Sequence, residues 1–116
     1  MSIYINLVVI SSLNIERSVT FYETLGLTFK KEQHGNGPEH YACEIGNLVF
    51  EIYPSQSEIV GITTRLGFNV DNLDAIIDKF STKDGLIITV PTVSPWGKRA
   101  VIKDPDGHKV ELLESL

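Results

Sequence analysis

The chain is poor in cysteine, in basic side chains and in long apolar runs. Its single cysteine, Cys43, cannot form a disulfide within the chain, which is typical of a reducing compartment and predicts a cytoplasmic location. The longest apolar run, Leu7 to Ile10, is far too short to span a bilayer, and no basic segment precedes it. Ten basic residues against 15 acidic ones give a net charge of −5, so neither nucleic acid nor an anionic membrane is expected as a partner.

What is present is ordinary for a small globular protein. Apolar residues make up 42% of the 116 residues, and charged residues make up 22%. A chain of this length forms one domain, or two very small modules that must share a core. The order of the residues indicates two modules within one domain, because a single pattern occurs twice.

In the first half the pattern predicts a strand, a helix and three further strands. Ile3 to Ile10 has β-branched residues on both faces, so it is predicted to be a strand buried from two sides. Asn14 is placed to cap a helix that runs to Leu25, and Gly26 ends it. The apolar stripe of this helix consists of Ile15, Val19, Tyr22 and Leu25. The further strands are predicted at Leu27 to Gln33, Glu39 to Ile45 and Leu48 to Tyr53.

The second half repeats this order after a polar linker. A strand is predicted at Ile62 to Val70, a helix capped at Asn72, a strand at Leu86 to Val90 and a loop at Pro91 to Gly97. Apolar residues at i, i+3, i+4 and i+7 form the helix stripe, namely Leu73, Ile76, Ile77 and Phe80. A hairpin closes the chain around Asp104-Pro105-Asp106-Gly107, where proline fixes φ and glycine permits the tight turn.

Two glutamates occupy equivalent positions in the two halves. Along the last strand of the chain Val110 and Leu112 share one face, whereas Glu111 lies on the other. Glu51 has the same place in the last strand of the first half, on the face opposite Phe50. A charge is unexpected there if both faces of the strand are covered, so the two carboxylates are candidate catalytic groups.

Two segments resemble the signatures of the vicinal oxygen chelate superfamily, which includes glyoxalase I, extradiol dioxygenases, fosfomycin resistance enzymes and bleomycin-binding proteins. They are Leu13-Asn14-Ile15-Glu16-Arg17-Ser18-Val19-Thr20-Phe21-Tyr22-Glu23-Thr24-Leu25-Gly26-Leu27 and Asp104-Pro105-Asp106-Gly107-His108-Lys109-Val110-Glu111-Leu112-Leu113-Glu114. The resemblance implies an α+β fold of the glyoxalase/bleomycin resistance type, in which two βαβββ modules form a curled mixed sheet, a cup, with the helices outside. It implies one domain over residues 1–116, with module one at 1–54, a linker at 55–61 and module two at 62–116.

The resemblance also implies where a metal would bind. In the metal-dependent members one ligand comes from the first strand and one from the last strand of each module. The matching residues here, which we call the four family positions, are Leu7, Glu51, Arg65 and Glu111. Leu7 cannot coordinate a metal, and Arg65 is a permanent cation that repels one. Two carboxylates alone make a weak site, so we expect no metal and no other cofactor there.

Other residues are candidates for contact with a ligand in the cup. His40 and Tyr53 lie on predicted strands, and Trp96 lies in the predicted loop; Leu7 and Arg65 complete the set. Each has a plainer alternative, since strand aromatics are often half-buried and a lone tryptophan often seals the edge of a core. His34 and His108 stand singly in the sequence, and His108 is expected to be solvated beside its turn.

Two functions stay open at this point. The first is a metal-free protein that binds a drug-like molecule or a metabolite in the sheet concavity; the replaced metal ligands and the acidic balance, which suits a cationic ligand, favour it. The second is a divalent-metal-dependent lyase, isomerase or dioxygenase that uses Glu51 and Glu111 with a histidine such as His40. An enzyme without metal, with either glutamate as a general base, lies between them.

Arg65 is predicted to take the place of the missing metal. Its guanidinium should lie within hydrogen-bonding distance of Glu51, of Glu111 or of both, because a fixed cation allows neighbouring carboxylates to stay ionised. Removing it should then cost stability. The resemblance further implies a homodimer, since members of the superfamily commonly complete their cups by pairing modules across subunits.

Overall fold

The computed structural model describes residues 2–57, 64–80 and 86–116. The chain divides into two compact units, Met1–Val60 and Gly61–Leu116, and the boundary falls in the predicted linker. Within the described residues, each unit contains one helix and one four-stranded mixed sheet. The fold is therefore α+β with two βαβββ modules, as predicted, and we call the two units module one and module two. No helix of the described residues has the length and apolar character needed to cross a membrane.

Module one consists of β1 (Leu7–Ser12), α1 (Ile15–Thr24), β2 (Lys30–Glu32), β3 (His40–Ile45) and β4 (Leu48–Pro54). The strand order in its sheet is β1-β4-β3-β2, with β1 parallel to β4 and the other pairs antiparallel. Helix α1 packs against β3 and β4 on one face of this sheet. We call the opposite surface the far face of module one.

The ends of α1 and its packing follow from local sequence signals. The Asn14 side chain accepts a hydrogen bond from the backbone N–H of Arg17 at 3.1 Å, which is the predicted cap. Tyr22 is fully buried and meets the ring of Phe50 edge-on, with 5.1 Å between centroids. Cys43 is buried on the same side of the sheet, and this burial raises the pKa of its thiol.

Module two consists of β5 (Arg65–Asn69), α2 (Leu73–Phe80), β6 (Ile87–Ser94), β7 (Gly97–Lys103) and β8 (Lys109–Ser115). The strand order β5-β8-β7-β6 repeats the topology of module one, with β5 parallel to β8. The helix begins with two caps: Asn72 Oδ1 accepts from Ala75 N at 3.1 Å, and Glu114 Oε1 accepts from Leu73 N at 2.8 Å. Leu73, Ile77 and Phe80 of the predicted stripe are buried.

The closing hairpin forms around the predicted turn. The backbone N–H of Asp104 donates to the carbonyl of His108 at 2.9 Å, and Asp104 Oδ1 accepts from the N–H groups of Asp106 and His108, each at 3.0 Å. The expectation that His108 is solvated is wrong, because its side chain is buried. It lies two residues before Val110, so the alternation of the strand directs it to the buried face.

The first strand differs from its prediction in length and burial. It begins at Leu7 rather than at Ile3, and the preceding apolar residues Ile3, Tyr4 and Ile5 are exposed. Ile10 is buried, but Val9 and Leu7 are about half exposed, so the strand is not buried from two sides. Strand β2 is also shorter than the predicted Leu27 to Gln33.

The predicted loop at Pro91 to Gly97 is wrong, because β6 continues through Pro91 to Ser94. Proline lacks the N–H that a central strand needs, but β6 is the last strand of its sheet, where an unpaired side costs nothing. The pairing of β6 with β7 also shifts register between Ile87 and Thr92, which removes the need for regular bonding there. Part of the predicted linker and the start of the predicted strand at Ile62 lie outside the described residues.

Candidate functional site

Strand pairing gathers polar side chains on the far face of module one. Glu32 of β2 lies opposite His40 of β3, and Ala42 of β3 lies opposite Glu51 of β4. Directly paired residues share a face, and so do residues two apart along a strand. Glu32, His40 and Glu51 therefore project together, on the surface opposite the buried Phe50.

These three side chains and that of His34, which follows β2, form what we call the acid–histidine cluster: Glu32, His34, His40 and Glu51. One ligand atom from each lies within 4.8 Å of the others. Nε2 of His40 is 3.5 Å from Glu32 Oε1 and 3.5 Å from Glu51 Oε2, and Nε2 of His34 is 3.7 Å from Glu32 Oε1. His40 is only 1% exposed, whereas Glu51 is partly accessible and His34 is exposed. A buried imidazole thus meets two carboxylates at the edge of solvent.

The ring of His40 is held in place from two sides. Its Nδ1 lies 3.2 Å from the carbonyl oxygen of Pro38, which can only accept, so Nδ1 carries a hydrogen and donates. The ring stacks on Tyr53, with 4.1 Å between centroids and 9° between planes. Tyr53 itself has a raised pKa, first because of desolvation and then because of the carboxylates of Glu51 and Glu32. Its phenol therefore stays neutral and adds no charge to the cluster.

A depression of about 520 Å³ lies beside the cluster on the same face. Its volume is in the range of pockets that hold small organic molecules. Three carboxylates and one lysine give it a negative balance. The residues that line it are Thr28, Phe29, Lys30, Glu32, Ala42, Glu44, Val49 and Glu51.

Module two places two cations on the equivalent carboxylate. Arg99 Nε donates to Glu111 Oε1 at 2.5 Å, and Arg65 Nε donates to Glu111 Oε2 at 2.7 Å. We call these three residues the arginine–glutamate cluster. The hydrogen bond from Arg99, and next that from Arg65, lower the pKa of Glu111. A smaller depression of about 260 Å³ borders Glu111, next to Gly67 on the neighbouring strand.

The contact between Arg65 and Glu111 is one of the two that the sequence predicts. The other, between Arg65 and Glu51, stays a prediction. Sequence reasoning missed Arg99, although a signal existed. Arg99 of β7 pairs with Leu113 of β8, and Leu113 lies two residues after Glu111 on the same strand. Arg99 therefore shares the face of the sheet on which Glu111 lies. Sequence reasoning also missed Glu32 and His34, whose role depends on how β2 and β3 pair.

Of the remaining candidates, only Tyr53 contacts a residue of either cluster among the contacts that the structure describes. Tyr53 packs on the ring of His40, as described above. Leu7 is half exposed on β1, opposite Val49. Trp96 lies in the short turn between β6 and β7 and is 70% exposed. Among the described residues, Trp96 lines neither of the two depressions.

The four family positions do not fit a metal ion. Leu7 offers no donor atom, and both oxygens of Glu111 already accept from guanidinium groups. Arg65 adds a permanent positive charge at a third position. Of the four, Glu51 alone has its carboxylate beside another metal-binding type of side chain, His40.

Comparison with known proteins gives both a family and relatives. The model of the Glyoxalase/Bleomycin resistance protein/Dioxygenase superfamily matches residues 4–112. The phenazine antibiotic resistance protein EhpR of Enterobacter agglomerans is 31% identical over 118 residues, which cover 92% of this chain and 88% of that protein.

Solved structures share the fold at lower identity. TnmS3, an antibiotic binding protein from Streptomyces sp. CB03234, superposes with a TM-score of 0.75 and 22% identity, and the match covers 100% of this chain and 99% of that one. The oxidase ChaP-H1 superposes with a TM-score of 0.78 and 16% identity, covering 99% and 98% of the two chains. At these identities the likeness shows the fold alone.

Proposed function

The chain belongs to the Glyoxalase/Bleomycin resistance protein/Dioxygenase superfamily, and from this premise we propose that it binds an organic small molecule in the concavity of its sheets. The proposed ligand is a planar, aromatic drug-like compound or metabolite, preferably a cation. The ligand is held by side chains and not by a metal at the four family positions.

The arginine–glutamate cluster carries this proposal. In the metal-dependent members the last strand of each module supplies one metal ligand, and here both oxygens of Glu111, the residue at that position, accept hydrogen bonds from arginines. Two guanidinium groups around one carboxylate also repel a divalent cation. Glu111 is therefore not available as a metal ligand, and an organic ligand in this protein is held by side chains instead.

The depression on the far face of module one supports the ligand class. Among its carboxylates, Glu44 lies outside the acid–histidine cluster and attracts a cation. The names of the relatives point to similar chemistry, since one confers resistance to a phenazine antibiotic and another binds an antibiotic. A phenazine is therefore the first ligand to test.

The alternative, a metal-dependent lyase, isomerase or dioxygenase that uses Glu51 and Glu111, receives less support. This function requires that the two charged hydrogen bonds of Glu111 break, and such bonds are stronger than neutral ones.

We also propose that the protein is a homodimer in the cytoplasm. Half-exposed Leu7 and Val9 supply apolar surface for association, and light scattering of the purified protein tests this assembly.

The test is calorimetric titration of untagged protein with phenazine and with bleomycin, in the presence and absence of a chelator. We expect one of these compounds to bind without added metal and also in the presence of the chelator, and Glu44→Gln to weaken binding of a cationic compound. Heat of binding is a better readout than fluorescence, because Trp96 lines neither depression among the described residues. Binding that requires added metal, or no binding of either compound, would contradict the proposal.

A further inference from the structure

The acid–histidine cluster contains a buried nitrogen atom with no hydrogen-bond partner among the residues that the structure describes. Nε2 of His40 receives no hydrogen bond within the described part of the chain, and the residue is 1% exposed. Buried nitrogen atoms are nearly always paired, because an unpaired one loses its hydration without compensation. An atom of this kind in a cluster of ligand-type side chains points to a ligand-binding site.

The orientation of the His40 ring indicates which kind of ligand the cluster suits. Nδ1 of His40 donates to the carbonyl of Pro38, so in the neutral imidazole the lone pair of Nε2 points into the cluster. There it faces one carboxylate oxygen of Glu32 and one of Glu51. Three electron-rich atoms repel one another unless a positive charge lies between them.

A direct hydrogen bond between Nε2 and either carboxylate does not fit the observed spacing. A charged N–H donating to a carboxylate shortens the nitrogen–oxygen distance to about 2.7–2.9 Å. Both distances from Nε2 are 3.5 Å instead. Four ligands at about 2.0–2.1 Å from a tetrahedral ion are separated by about 3.3–3.4 Å. The separations of 3.5, 3.5 and 3.7 Å in the cluster are close to that value.

We propose that Glu32, His34, His40 and Glu51 bind one divalent transition-metal ion, with Zn²⁺ as the reference ion. Two carboxylates neutralise the ion, and two imidazoles favour zinc, nickel or cobalt over magnesium and calcium. Glu51 is one of the four family positions, but the other three ligands are not. The site is therefore built within module one alone, from β2, β3, β4 and the segment after β2.

The site is structural in kind. Four protein ligands fill a tetrahedral ion, which leaves no position for a substrate or an activated water. The hydrogen bond from Nδ1 to Pro38 is the support that metal-binding histidines usually have. An ion here joins three strands of module one and stabilises them, because it binds the folded arrangement and not the unfolded chain.

The experiment is a titration of zinc chloride into untagged protein that has been stripped with a chelator, followed by calorimetry. We expect one Zn²⁺ per chain, a higher melting temperature in zinc, and an intense visible absorption when Co²⁺ replaces Zn²⁺ in a four-coordinate site. His34→Ala removes an exposed ligand, so it should fold normally and weaken zinc binding by about tenfold or more.

Glu39→Gln is the matched control. It removes a carboxylate next to His40 in the chain, but Glu39 pairs with Lys31 at 3.4 Å and is not part of the cluster. Zinc binding should be unchanged in this variant. His40→Gln should abolish binding, and if it fails to fold, His34→Ala decides alone. The proposal is overturned if zinc does not bind stoichiometrically, or if His34→Ala binds zinc as tightly as Glu39→Gln does.

Discussion

Modules one and two share a topology and differ in the side chains that surround the equivalent carboxylate. Glu51 and Glu111 lie on the last strands of their modules, each with a neighbouring residue in the core. In module one the carboxylate faces Nε2 of His40 and a second carboxylate. In module two it accepts hydrogen bonds from Arg65 and Arg99. One module therefore needs a cation from outside, and the other supplies its own.

This difference shows that the fold constrains one side of each sheet more than the other. The helix-facing side of each sheet must be apolar, because burial there stabilises the module. The opposite side has no such requirement, so its charges can change while the topology stays the same. Arg65 and Arg99 convert a metal-ligand position into a closed ion cluster without altering the strands beneath it.

The largest effect is expected on the shared, helix-facing side. Phe50→Ala in module one and Leu112→Ala in module two each leave a cavity in the core, since both residues are buried. We expect each to reduce the free energy of unfolding by about 3–5 and about 2–5 kcal/mol respectively. Urea denaturation followed by circular dichroism measures both. A loss well below these values in one module would mean that its core is not packed like the other.

A smaller effect is expected from the arginines. Arg99→Leu should reduce the free energy of unfolding at pH 7 by about 0.5–1 kcal/mol, and Arg65→Leu by no more than that. The cost is modest because 47% of the Arg65 side chain and 32% of the Glu111 side chain are exposed to solvent. Buried ion pairs cost more to break, about 3–5 kcal/mol. A loss of that size in thermal melts would show that the cluster is drier than its exposure indicates.

The smallest effect is a pH dependence of module two. The pKa of Glu111 lies below its ordinary value of 4.5 in the folded protein, so the ionised form stabilises the fold. This contribution is complete above about pH 4.5 and is lost as the pH falls through the lowered pKa. Glu111→Gln should therefore melt below the parent at pH 7, and the two should converge in acid. A difference in melting temperature that stays constant down to acid pH would contradict the sign of the shift.

Most of the fold could be predicted because its signals are local. The Asn14 cap, the apolar stripe of α2 and the Asp104 turn each depend on residues a few positions apart. The limits of β6 could not, because whether a strand tolerates Pro91 depends on its place at the edge of the sheet. The exposure of Leu7 depends in the same way on what covers the strand.

The candidate site was less predictable than the fold. Glu51 and Glu111 were found because strand alternation and the repeat fix their faces, whereas Arg65 was found through the resemblance to the family. The sequence did not predict that Glu32 and His34 lie near His40, since this proximity follows from the register between β2 and β3. Single histidines have no periodic signal, so only the pairing of strands reveals which of them have carboxylate neighbours.

The measurement that tests the contrast most directly is zinc titration of two matched variants, Glu51→Gln and Glu111→Gln, under identical conditions. They make the same chemical change at equivalent positions of the two modules. We predict that Glu51→Gln weakens zinc binding by about tenfold or more, because it removes a ligand. We predict that Glu111→Gln leaves it unchanged. Equal effects of the two substitutions, or a loss confined to Glu111→Gln, would contradict the account.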